Sequence, residues 1–135
     1  MNSLFLNFDK STDTNAVFTK LKELFPSAEK IKNLTVLKEL TELAYKDDEI
    51  DVKFEFTSPH TVNMVYHGDE WVSIDDEYLN IYPGGYTEQE AIDEYTMYMD
   101  ILWNRYVAQD LSDVKISQKL KENIERIKSK VKKIW

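Results

Sequence analysis

The sequence predicts an α+β fold: a three- to four-stranded antiparallel sheet packed by a long helix, with N-terminal helices and a basic C-terminal helix. Three observations carry this reading. Between Ile50 and Tyr82 apolar residues recur at every second position, in short runs separated by turn residues. After Gly84 and Gly85, Thr87 opens a stretch whose apolar residues recur at intervals of three and four. From Ile116 to Ile134 one narrow apolar seam runs through a lysine-rich segment. At 135 residues, 42% of them hydrophobic and 13% aromatic, the chain is long enough for one compact domain with a real core and too short for two.

The elements follow in order. Leu4, Leu6 and Phe8 alternate as in a short strand before the turn Asp9-Lys10-Ser11-Thr12. With Asp13 or Thr14 as N-cap, Val17, Leu21, Leu24 and Phe25 then recur at helical spacing until Pro26. Ile31, Leu34, Leu37, Leu40 and Leu43 follow at intervals of three, which predicts a second helix; Thr35, Val36 and Thr41 keep a strand in play. Residues 1–45 are thus read as a mainly helical region.

Residues 46–108 form the sheet-plus-helix core. Ile50, Val52, Phe54 and Phe56 face one way and Asp51, Lys53, Glu55 and Thr57 the other, the pattern of a half-buried strand that Ser58-Pro59 should break. Val62, Met64 and Tyr66 make the next strand, His67-Gly68-Asp69-Glu70 a hairpin turn, Trp71 to Ile74 a third strand and Leu79 to Tyr82 a fourth. Short links favour an antiparallel meander, which Pro83-Gly84-Gly85 ends. Thr87-Glu88-Gln89-Glu90 is a capping box, and Ile92, Tyr95, Met99, Leu102 and Tyr106 mark the buried face of its helix, broadened by Ala91, Tyr98, Ile101 and Trp103. After the linker Gln109 to Asp113, residues 114–135 make a basic helix whose seam is Ile116, Leu120, Ile124, Ile127, Val131 and Ile134.

Charge is distributed unevenly. The first 45 residues hold six acids and six bases, residues 46–113 seventeen acids and three bases, and residues 114–135 two acids and eight bases, within a net charge of -8. The middle segment would repel nucleic-acid phosphate, whose binding requires cations that release condensed counterions. It would attract a basic protein and speed their encounter. Asp75, Asp76, Glu77, Asp93 and Glu94 are expected to pair with a partner's Lys or Arg. Tyr78, Tyr82 and Tyr86, near the sheet exit, are expected to be its aromatic anchors. The basic seam can pack on the domain, pair with its twin in a homodimer, or leave its lysines free for nucleic acid.

Known chemistries find little footing. With no cysteine there is no disulfide, thiolate nucleophile or Cys-ligated metal. His60 and His67 are the only histidines and lack a recurrent metal spacing; no EF-hand, Walker-type loop, Gly-x-Ser-x-Gly elbow or complete dinucleotide fingerprint occurs. No cofactor or metal is therefore expected, and no enzyme. The apolar N-terminus lacks the basic flank and length of a signal peptide, and no stretch of about 18 apolar residues exists to span a bilayer, so a cytoplasmic protein without membrane contact is expected.

The segment Trp71 to Lys121 resembles HicB-like antitoxins and their orphan relatives in prokaryotes. The resemblance lies in Trp71-Val72-Ser73-Ile74, an acidic turn, Leu79-Asn80-Ile81-Tyr82, and above all the Gly-x-Thr-x-x-Glu-Ala signature, here Gly85-Tyr86-Thr87-Glu88-Gln89-Glu90-Ala91. It implies a non-catalytic protein that binds and masks a small basic RNase toxin. The family's Pro-Asp-Leu-Pro-Gly-Cys-like turn is replaced by Asp75-Asp76-Glu77-Tyr78, and no DNA-binding module follows the sheet. Two alternatives stand beside it, the first drawing on the same acidic surface. One is a phage-encoded, anti-CRISPR-type inhibitor that mimics nucleic acid before a nucleic-acid-binding defence protein. The other is a structural or phage accessory protein that dimerises through its C-terminal seam.

Overall fold

The structure, a computed structural model, describes residues 3–7, 33–68, 70–112 and 114–135, with β1 (Ser3–Asn7) described by its backbone pairing alone. The predicted helix from Thr14 to Phe25 lies outside the described residues. The other elements are β2 (Asn33–Lys46), β3 (Asp51–His67), β4 (Trp71–Asp75), β5 (Gly84–Gly85), α1 (Glu88–Leu102) with a π-helical turn at Trp103–Val107, α2 (Gln118–Lys130) and β6 (Val131–Lys133). They form one six-stranded sheet in the order β1-β2-β3-β4-β5, with β6 on β3. Only β1 runs parallel to its neighbour. The fold is α+β, with more strands than the sequence suggested.

The predicted second helix is instead β2. Leu34, Val36, Lys38 and Leu40 are buried at alternate positions on the face that α1 covers. A bulge between Leu40 and Glu42 then shifts the phase, so that Leu43 is the next buried residue. Two features thus concealed the strand: a buried lysine within the apolar alternation, and a bulge that made one interval three.

Strand β3 passes straight through Pro59. Glu55 pairs with Glu42 and His60 with Leu40, so Phe56 to Pro59 bulge opposite a single residue of β2. On the other edge β6 pairs with Phe54–Phe56 and β4 with Asn63–His67, so Pro59 falls between ladders where its missing N–H breaks no strand pairing. The predicted fourth strand, Leu79 to Tyr82, is a turn closed by an Asp76–Ile81 bridge, with Asn80 at φ 59°. The glycines expected to end the sheet supply β5 instead, because Gly85 lies where a Cβ would stand 2.6 Å from Glu90 Cβ and 2.9 Å from the Ala91 nitrogen.

α1 starts as its sequence dictates. Thr87 Oγ1 accepts from the Glu90 N–H at 3.1 Å, while Glu90 Oε2 accepts from the N–H of Tyr86, one residue before the cap. Ala91, Tyr95, Thr96 and Met99 are buried against the sheet, whereas Tyr98 and Ile101, expected on the core face, are exposed. α2 begins at the Ser117 cap, and its seam closes on the same chain: Ile124, Ile127 and Val131 are buried. The helix ends earlier than predicted, because at Val131 the backbone turns extended and joins β3. Among the described residues no helix is long and apolar enough to cross a membrane.

Candidate functional site

The sequence-predicted site residues occupy three different settings. Asp76 is the first correction, since it is 2% exposed and has no face for a partner. Its Oδ2 lies 2.8 Å from His60 Nε2 and accepts from the Tyr95 hydroxyl at 2.5 Å, while Oδ1 accepts from the Leu79 N–H at 3.0 Å. Burial pushes its carboxyl upward, but the hydrogen bonds from His60, Tyr95 and Leu79 and the His60 charge outweigh burial and hold it below the usual carboxylate range. Burial first, then the Asp76 charge, pushes the Tyr95 hydroxyl far above its ordinary value. Phe56 stacks on the His60 ring at 5.1 Å. This buried network ties β3, the 76–81 turn and α1 together. His67, by contrast, is exposed and bonded to Ser73.

Tyr78 projects towards the basic helix. It is exposed, 6.1 Å from the His60 ring, with Arg126 and Lys130 set 5.7 and 6.0 Å from its ring centre. Asp75 and Glu77 are exposed beside it at the end of β4 and in the turn.

Tyr82, Tyr86, Asp93 and Glu94 belong to a third setting, the outer side of α1. A groove of about 610 Å³ runs along it, lined by Trp71, Tyr86 and Tyr98 together with Glu90, Asp93 and Glu94. Tyr98 and Ile101 continue it into a smaller hollow that Tyr82 lines. Trp71, Tyr82, Tyr86, Tyr98 and Ile101 are between 40% and 72% exposed, so one continuous surface holds most of the large apolar side chains that the described residues leave in water. Trp71 and Tyr86 meet edge to face at 5.2 Å and 89°. A hydrogen bond to Glu94, with that residue's charge, raises the Tyr98 hydroxyl above its ordinary value.

The groove is negative as well as aromatic. Asp93 accepts from Gln89 at 2.8 Å and Glu90 from the Tyr86 N–H, yet no Lys, Arg or His among the described residues forms an ion pair with Glu90, Asp93 or Glu94. Other acids are neutralised internally: Glu88 by Lys38 at 3.1 Å and Asp100 by Lys133 at 3.0 Å.

Sequence reasoning missed Trp71, Glu90, Met97, Tyr98 and Ile101 as groove residues. Two signals pointed to them. Trp71 is out of phase with the buried Val72 and Ile74, and α1 carries more apolar residues than one face against a sheet can bury. Among the described residues no cluster of three or more His, Asp or Glu is arranged to hold a metal. No protein-family model, curated protein or solved structure matches the chain.

Proposed function

We propose that this chain is a non-catalytic acidic binding protein that inhibits a basic, nucleic-acid-processing protein in the manner of an antitoxin. The observation that carries this is the groove along α1, where exposed Trp71, Tyr86 and Tyr98 adjoin Glu90, Asp93 and Glu94 and none of those acids is paired with a base of the described residues. Aromatic side chains in a recess are the usual anchors of a protein interface. Unpaired carboxylates around them favour a cationic partner and suppress an anionic one. The resemblance of residues 71–121 to HicB-like antitoxins supports the same partner class, a basic RNase. In this reading Asp93, Glu94, Tyr82 and Tyr86 bind the partner together, Asp75, Glu77 and Tyr78 form a separate rim, and Asp76 holds the turn that carries them.

The test is affinity capture from the native host with the wild-type chain and with the Asp93→Lys/Glu94→Lys double variant, followed by a nuclease assay of the protein retained. A basic nuclease that the wild-type chain retains and silences, and the variant does not, supports the proposal. Retention of the same proteins by both chains overturns it.

A further inference from the structure

One corner of the groove sets a pair of aromatic rings beside its carboxylates. Gly84 has no side chain, and the indole of Trp71 occupies the space beside it: a Cβ at Gly84 would stand 2.6 Å from Trp71 Cζ2 and 2.9 Å from Nε1. The Trp71 ring is therefore seated against the β5 backbone. Tyr86 stands perpendicular to it, and the Tyr86 N–H is tied to Glu90 at 2.8 Å. Two aromatic planes thus stand at right angles beside the β5 backbone. Asp93 and Glu94 lie on the adjoining turn of α1, and Met97 and Ile101 extend the wall as apolar surface.

We propose that this corner is a subsite for the guanidinium group of an arginine on a basic segment of the partner; the inference rests on the binding function proposed above. A cation of any kind would be drawn to the carboxylates. The aromatic corner discriminates among cations. A planar guanidinium lies flat on an indole face while its N–H groups reach carboxylates in its own plane, and it sheds water more readily than an ammonium does. Asp93 and Glu94 give it two carboxylate acceptors. Met97 and Ile101 suit the three-carbon stem of arginine, which packs along apolar surface. The contact of the Trp71 indole with the Gly84 backbone limits its rotamers and so lowers the ordering cost of binding.

The experiment titrates the full chain with hexa-arginine and hexa-lysine peptides of equal charge, at low and physiological salt, by calorimetry and by the indole N–H resonances. The wild-type chain should prefer hexa-arginine by about tenfold, with the Trp71 indole resonance shifted. Trp71→Ala and Gly84→Ala, the second of which displaces the indole and keeps it, should reduce the preference to about twofold or less. Circular dichroism verifies their folding, and Trp71→Phe, which keeps an aromatic face, should retain part of the preference. Asp93→Asn/Glu94→Gln should weaken both peptides. Equal wild-type affinity for the two peptides, weakened by the Asp93/Glu94 variant, overturns the arginine subsite and leaves the acidic surface standing. Binding that the Asp93/Glu94 variant does not alter overturns both. Self-association of the free chain that shields Trp71 overturns the subsite as well, because a second copy would then be the occupant.

Discussion

Asp76 and His60 meet at 2.8 Å with their side chains no more than 5% exposed, joining the turn after β4 to the middle of β3. The Tyr95 hydroxyl completes the arrangement from α1, so one carboxylate holds three elements. Removing it leaves a buried imidazole and a buried hydroxyl without their acceptor. Asp76→Ala is expected to cost about 3 kcal/mol and Tyr95→Phe about 1.5 kcal/mol, read by urea denaturation at neutral pH. Losses near zero for both would show that the network contributes only geometry.

The same carboxylate predicts an acid limb of stability. Its folded value lies below its unfolded one, so its contribution is fully present above the ordinary carboxylate range and is lost as pH falls through the folded value. Stability should drop as pH falls below the ordinary carboxylate range, and Asp76→Asn should flatten that drop. Part of the slope should survive in the variant, because Asp47 and Asp110 are also lowered, by backbone hydrogen bonds from Glu49 and Ile50 and from Ser112. An unchanged pH profile in Asp76→Asn would remove Asp76 from the account.

Lys38 offers a second buried charge. Its ammonium meets Glu88 at 3.1 Å with 8% of its side chain exposed, and Glu88 also accepts from the Tyr66 hydroxyl at 2.7 Å. Lys38→Met should cost about 3 kcal/mol by stranding Glu88, whereas Lys38→Met/Glu88→Leu should recover most of that loss. A double variant no more stable than the single one would show that the hydrogen bond to Tyr66, not the lost charge pair, dominates.

The two glycines of β5 should respond differently to alanine. At Gly84 the atoms nearest the new methyl all belong to the exposed Trp71 ring, which can swing away, so the cost should stay within about 1 kcal/mol. At Gly85 it meets the Glu90 Cβ and the Ala91 nitrogen of α1, which cannot move without the helix, and the cost should be about 2 to 3 kcal/mol. Thermal unfolding of the two variants separates them.

Ile127 tests where the C-terminal seam belongs. It is 1% exposed against its own sheet, so Ile127→Ala should destabilise the chain by about 2 to 4 kcal/mol without altering its sedimentation. A change in sedimentation at unchanged stability would instead assign the seam to a partner.

Much of this architecture was legible where local chemistry decides it. The alternation from Val52 to Phe56, the Thr87 cap and the burial of Ile124 and Ile127 all follow from periods and caps. What escaped depends on distant partners. Val131 fits a helical seam and a strand equally well, and the free edge of β3 at Phe56 decides between them. Lys38 reads as a surface residue until Glu88 arrives from α1. The candidate site divided for the same reason: Tyr78 and Tyr86 are close in sequence, but the 76–81 turn sends one towards Arg126 and the other to Trp71. The acidic bias of the middle segment was visible; which acids lacked an internal base was not.

The pairing of β6 with β3 has a kinetic consequence. Thr57 and Ser129 hydrogen-bond across 72 residues, so the final strand closes a very long loop. Folding should therefore be limited by a late search, on the millisecond-to-second scale of topologies dominated by remote pairings, with the Phe54 side of the core left open until the search ends.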